Sequence, residues 1–389
     1  MKVCVLTTGY PRFQGDLFGI FIYKLTKELV SEHVDVIVIA PDDPITQKEE
    51  IIEGIRIKRF QYFPFRAYQR LAYGSSGIME NIRTNILVIF QIPFFLISQF
   101  LAGLISTKDC DIIHANWIIC GLVGIWIRFF REIPVVLTVH NTRLRDYPKW
   151  LSRFVIKNVD AVISPHPELT ELVHRYGSKK LVEIPNLVIP DMGTSKQRDV
   201  VIKELNITSP IVISFIARLV DWKDPLTFVK AIPLILKKRD VNFLIVGDGP
   251  LMKEVKELVD NYSFNNKVKV LGMRRDIYDL LSITTIFTGL STIENIWSST
   301  VIEAVFHKAC LILTDVGTTS KVFTHLQDAY LIEPQHENAL AQAVLELIDN
   351  KDLRTNLSRK AHELLIRKGF VKKKIIGNTI YLYKELISI

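Results

Sequence analysis

Cysteine is scarce: the chain carries four thiols in 389 residues, at Cys4, Cys110, Cys120 and Cys310. They are scattered and mostly sit in apolar stretches, so they draw neither a disulfide frame nor a zinc spacing. A reducing, intracellular setting is expected. Low-complexity runs and repeats of solenoid period are also missing, which argues against a disordered or solenoid protein. The first apolar run, Val3 to Leu6, is too short for a secretory signal and reads as a strand. No basic-aromatic RNA motif stands out, so nucleic acid is not an expected partner despite the net charge of +8. That charge still suits a phosphorylated substrate or an anionic membrane surface.

What is present is apolar and periodic. Hydrophobic residues make up 48% of the chain, enough for a large core, and the length suits two domains. Short β-branched runs alternate with helical segments at 2–7, 34–40, 54–59, 111–115, 135–140, 161–164 and 181–184. A second series follows at 211–217, 242–246, 268–271, 286–290, 311–314 and 329–332. Continuous apolar strands separated by helices predict parallel sheets covered on both faces. Two series predict two doubly wound domains, 1–190 and 200–368, with a helix in 369–389 returning to the first. The boundary falls in 186–206, which holds Pro190, Gly193 and a polar run. Ligands in such sheets bind beyond the carboxyl ends of the strands, so the cleft between two domains is the expected site.

Two segments of the first domain stand apart. Residues 86–106 are strongly apolar, interrupted by Gln91, Pro93, Ser98 and Gln99. These interruptions argue against a spanning helix and leave core packing or a membrane-resting helix. In 141–158, Lys149, Arg153 and Lys157 share one helical face while Trp150, Leu151, Phe154 and Val155 lie on another. That pattern suits an anionic lipid interface, and equally an ordinary solvated helix.

The chemistry-bearing residues cluster in the second half. Glu294 and Glu303 bracket Ser298, Ser299 and Thr300, which open an apolar helix after a strand-like run. A helix N-terminus there suits a phosphate, and ionised carboxylates accept hydrogen bonds from sugar hydroxyls. Thr300 and Glu303 also fit a capping box. Arg218 and Lys223 follow the first strand of the second domain, where a guanidinium fork and an ammonium can neutralise a diphosphate. Gly247, Asp248 and Gly249 form a turn after the next strand, where backbone can approach a ligand.

In order and spacing, these residues resemble the retaining GT-B glycosyltransferases of family GT4. The segments 10–21, 111–117, 135–140 and 184–186 resemble the family's glycine loop, its two strand-end histidine segments and the start of its linker. The resemblance covers nearly the whole chain. It implies a GT-B architecture, two Rossmann-like domains facing across a cleft. It implies that Arg218 and Lys223 grip the nucleotide diphosphate, that Glu303 binds ribose and that Glu294 lies near the donor sugar. Gly19 would bring backbone to the diphosphate, and His140 would sit by the sugar. Met273 and Arg274 would border the base, and Gly247, Ser299 and Thr300 complete the donor set. The chain also departs from the family. Eight residues rather than seven separate Glu294 from Glu303, so Asn295 occupies the strict position. Leu187 replaces the glycine of Pro-Asn-Gly, and Lys321 stands near a usual acid.

The expected reaction moves a hexose-type sugar from a UDP- or GDP-sugar to a glycan or lipid-linked acceptor, with retention of anomeric configuration. No metal or cofactor is expected, because no Asp-x-Asp is placed to hold a divalent ion and the nucleotide-sugar is itself a substrate. The expected setting is cytoplasmic, peripheral at the inner face of the cell membrane. The alternatives are a non-catalytic nucleotide-sugar-binding subunit and another GT-B enzyme, such as a nucleotide-sugar epimerase or a phosphorylase.

Overall fold

The computed structural model describes all residues except Leu17, 74–77, 141–143, 145–146, His166, 188–196, Asn265, 294–297 and Ile389. The chain divides into two units, Met1–Leu187 with Val371–Ile389, and Val188–Phe370.

The first unit is built on eight strands: β1 (Lys2–Leu6), β2 (Asp35–Pro41), β3 (Glu49–Ile52), β4 (Ile55–Phe60), β5 (Ile112–Asn116), β6 (Val135–Thr138), β7 (Ala161–Ser164) and β8 (Leu181–Glu183). Their order is β3-β4-β2-β1-β5-β6-β7-β8. Strands β1, β6 and β7 are apolar almost throughout and β5 is buried along its whole length, as fits a sheet covered by helices on both faces. Those helices are α1 (Ile20–Ser31), α2 (Ile78–Thr84), α3 (Ile92–Ser106), α4 (Trp117–Arg131), α5 (Lys149–Asn158) and α6 (Pro167–Arg175).

The second unit carries β9 (Val212–Ile216), β10 (Asn242–Val246), β11 (Val268–Gly272), β12 (Ile286–Gly289), β13 (Cys310–Thr314) and β14 (Tyr330–Ile332). They run in parallel in the order β11-β10-β9-β12-β13-β14. Its helices are α7 (Arg198–Glu204), α8 (Pro225–Leu236), α9 (Met252–Asn261), α10 (Ile277–Ile283), α11 (Ser299–Phe306), α12 (Thr319–Val322), α13 (Glu337–Asp349) and α14 (Lys351–Arg367). The last helix, α15 (Lys372–Ile387), belongs to the first unit and packs beside α1. In each sheet the winding direction reverses once, between β1 and β5 in the first unit and between β9 and β12 in the second. These switch points are where doubly wound sheets open a crevice at their carboxyl edge.

Three expectations need correction. The first sheet is not wholly parallel: β3 pairs antiparallel with β4 as a half-exposed edge, and its Glu-Glu-Ile-Ile sequence lacks the apolar continuity that marks buried strands. Strand β6 ends at Thr138, so His140 lies two residues beyond it. The capping box through Thr300 and Glu303 does not form. Ser298 is the N-cap and makes no side-chain cap bond, which leaves Thr300 inside the first turn.

Candidate active site

The donor-type residues of the second unit lie on loops that leave neighbouring strands at their carboxyl ends. Arg218 and Lys223 follow β9, and the loop leading to Ser298, Ser299, Thr300 and Glu303 follows β12. These two strands flank the switch point. Glu294, with its displaced spacing, lies outside the described residues.

Trp222 joins the two loops, and the sequence did not single it out. Its ring stands 5.5 Å from the Arg218 guanidinium carbon and 4.7 Å from Lys223 Nζ. A π face attracts both cations and holds them beside its ring. The Trp222 carbonyl accepts from Thr292 N at 3.0 Å and from Ser291 Oγ at 2.9 Å. The cationic loop is thereby stitched to the acidic one. Asp224 follows directly, capping α8 through Thr227 N at 3.4 Å, and its burial pushes the carboxyl above the usual range.

Gly247 serves this loop as much as any ligand. Its φ is 135, and a Cβ there would lie 1.8 Å from the Ala217 carbonyl oxygen. Leu219 N also donates to Asp248 O at 2.9 Å. The Gly-Asp-Gly turn therefore seats against the backbone that carries Arg218.

Helix α11 presents its N-terminus beside the acidic segment. The amides of Val301 and Ile302 turn back to Ser298 O, at 3.1 and 3.3 Å. Those of Ser299 and Thr300 show no acceptor among the described residues, and such orphan donors favour an anion. Glu303, one turn on, receives Tyr278 Oη at 3.4 Å, and the Tyr278 ring stacks on His307 with centroids 5.8 Å apart. Met273 is 66% exposed at the end of β11. Arg274 is otherwise engaged: its guanidinium is held by both oxygens of Asp276, at 2.8 and 2.5 Å, and by Glu204 at 3.3 Å. Of the two, Met273 is the side chain displayed to solvent.

In the first unit, the loops after β1, β5 and β6 carry the corresponding residues. Gly19 caps α1 with φ 70, where a Cβ would stand 2.4 Å from the Gly9 oxygen. Arg12 Nε donates to Asp16 Oδ2 at 2.7 Å and braces this loop. His140 has both ring nitrogens occupied, Nδ1 by Asn186 Oδ1 at 2.9 Å and Nε2 by Asn116 Oδ1 at 2.7 Å. Asn116 is itself oriented by donating to Leu6 O at 3.2 Å, so its oxygen faces the ring. Burial pulls the imidazole down to about 4, while the Asn186 bond acts the other way. The ring packs on Phe21 at 4.6 Å and Trp117 at 5.0 Å between centroids. Trp117 has φ 68, an uncommon conformation for a bulky residue and a mark of local strain. His114 lies deeper, bonded to Tyr383 Oη and Thr138 Oγ1, each at 2.6 Å. It is a structural histidine.

Comparison with known proteins decides the family. Residues 197–364 match the glycosyl transferases group 1, and residues 19–191 match Glycosyltransferase Family 4. The chain belongs to the group 1, family 4 glycosyltransferases. It is 23% identical to the N-acetyl-alpha-D-glucosaminyl L-malate synthase of Bacillus anthracis, over 79% of this chain and 84% of that protein. It is 24% identical to the UDP-Gal:alpha-D-GlcNAc-diphosphoundecaprenol alpha-1,3-galactosyltransferase of Escherichia coli, over 73% and 78%. The crystal structure of Anabaena HepE in complex with UDP superposes with a TM-score of 0.74 at 16% identity, covering 99% of this chain and 100% of that one. Each half of this glycosyltransferase therefore has a family match of its own, and the fold is GT-B.

Proposed function

We propose that this glycosyltransferase moves a hexose-type sugar from a UDP- or GDP-sugar to a glycan or lipid-linked acceptor, with retention and without a metal. The observation that carries the reading is the stitched pair of loops at the β9/β12 switch point. Arg218 and Lys223 lie on one, and the α11 N-terminus with Glu303 follows from the other. Cations and a helix N-terminus on neighbouring strand-end loops suit electrostatic stabilisation of a departing diphosphate. Glu303 is the ribose acceptor. Glu294 and His140 are assigned to the sugar side, His140 as a neutral ring fixed by Asn116 and Asn186. Gly19 brings backbone to the diphosphate, and Met273 borders the base.

The UDP bound to HepE and the UDP-Gal and diphosphoundecaprenol in the E. coli relative's name support the choice of donor and acceptor classes. Four buried, unbridged thiols fit a cytoplasmic setting. The test is nucleoside diphosphate release over a panel of UDP- and GDP-sugars, with and without a chelator. Arg218→Ala is expected to lower turnover by at least about a hundredfold with an unchanged circular dichroism spectrum. Full activity in that variant removes the assignment of Arg218. Loss of wild-type activity in chelator removes metal independence, and an inverted anomeric signal in the product removes retention. Donor binding without release in every case supports a non-catalytic binding subunit instead.

A further inference from the structure

We propose that the outer faces of α3, α4 and α5 seat the first unit on an anionic bilayer surface without crossing it. The segment Ile86–Ser106 contains no charged residue, and the most apolar 18 residues within it have a mean hydropathy of 2.0, yet only 28% of them are buried. Helix α3 is apolar on two sides. Its inner side holds Phe95, Gln99 and Gly103, all buried. Its outer side carries Phe94, Ile97, Leu101 and Ile105, which are 51 to 65% exposed. Spacings of three and four place those four on one stripe. Single exposed apolar side chains are ordinary, but a continuous stripe marks a surface that something covers.

The stripe continues onto α4. Phe100 touches Trp126 and Phe130, with ring centroids 6.3 and 5.8 Å apart, and Phe129 beside them is 88% exposed. Helix α5 packs against α4 and adds the charge. Its exposed side presents Trp150, at 71%, and Phe154, at 46%, among the exposed Lys149, Arg153 and Lys157. No acidic residue lies within α5. Aromatic side chains beside cations match the two layers of an anionic membrane surface, the acyl boundary and the headgroups. Pairing of two copies through this face would gather the same cations at one two-fold seam, which disfavours that occupant. The remainder of 141–158 before Lys149 lies mostly outside the described residues.

Length alone would let Ile86–Ser106 span a bilayer, but its packing opposes this. Helix α3 covers β1, β2 and β4. Gln99 Nε2 donates to Thr7 O at 3.0 Å, and a Cβ on Gly103 would come within 2.5 Å of Ile127. Crossing the membrane would strip this layer from the sheet. Seating the outer stripe leaves it in place.

The surface stands independently of the acceptor reading, because vesicle binding needs no substrate. The full chain is expected to co-sediment with phosphatidylcholine vesicles containing phosphatidylglycerol, more weakly with phosphatidylcholine alone, and to be released by alkaline carbonate. Phe129→Ser with Phe130→Ser should weaken partitioning at least about tenfold on both vesicle types. Lys149→Glu with Arg153→Glu and Lys157→Glu should weaken it roughly a hundredfold on anionic vesicles and remove its salt dependence. These side chains are exposed, so unfolding temperatures should hold. The proposal is overturned if the folded wild type binds neither vesicle, if both variants bind like the wild type, or if the protein resists carbonate. It is also overturned if the wild type is a stable dimer that the phenylalanine variant dissociates. Vesicle results leave the glycosyl-transfer reading to the donor panel, because vesicle binding is scored without donor.

Discussion

At the scale of single residues, buried histidines tie the first unit to neutral pH. Burial, with a smaller effect from His140, pulls His114 down to about 3, and His140 is held at about 4. An unfolded histidine titrates near 6.5. Between these values the unfolded chain binds more protons than the folded one, so stability falls as the pH drops below about 6.5. Each unit of such a gap is worth about 1.4 kcal/mol. His114→Gln loses hydrogen bonds and should be less stable at pH 7 by about 1–3 kcal/mol. That deficit should shrink towards pH 5, because the variant has one fewer histidine to protonate on unfolding. Urea midpoints at pH 7, 6 and 5 check this, and a deficit that does not change with pH contradicts the assignment. Arg218 and Lys223 were legible in the sequence, because two cations after a strand are chemically conspicuous. Trp222 and Asn116 were not. A tryptophan or an asparagine acquires such a role only when its ring or amide is placed against particular partners.

At the scale of elements, the turns after the strands decide what the site can hold. The Gly247 turn packs on the backbone of the Arg218 loop. Gly247→Ala should destabilise the second unit by about 3 kcal/mol or more and weaken nucleotide binding with it. Gly272 also has positive φ, at 65, but no atom stands within 4 Å of a Cβ there. Gly272→Ala should therefore cost only about 1–2 kcal/mol. Denaturant midpoints and nucleotide titrations of the two variants give the comparison, and equal costs would remove the close-approach argument. The strand series was readable because apolar runs bounded by turns are local signals. The start of α11 was less so: Ser298, Ser299 and Thr300 are all plausible caps, and backbone geometry selected Ser298.

At the scale of the whole molecule, the chain returns at its end to the unit where it began. Helix α15 buries Ile375, Ile376, Leu382 and Tyr383 in the first unit, each at most 3% exposed. At about 1.5–3 kcal/mol per buried side chain, these four represent a stabilisation comparable to that of a whole domain. Ending the chain after Phe370 should therefore unfold or loosen the first unit while the second still binds nucleoside diphosphate. Hydrogen exchange with a nucleotide titration tests this. Retained amide protection in β5 and β6 would show that α15 is dispensable.

The amino-acid sequence by itself determined that there are two doubly wound sheets and which strand-end loops carry cations, carboxylates and glycines. Both follow from local periodicity and residue chemistry. Only the tertiary structure decided that His114 meets a hydroxyl 269 residues away, that His140 lies between Asn116 and Asn186, and that Arg274 is bound by acids while Met273 is displayed. It alone decided that α3 keeps an apolar side facing out. The physical reason is that hydrogen-bond partners and covered faces depend on the path of the whole chain, which no local pattern records.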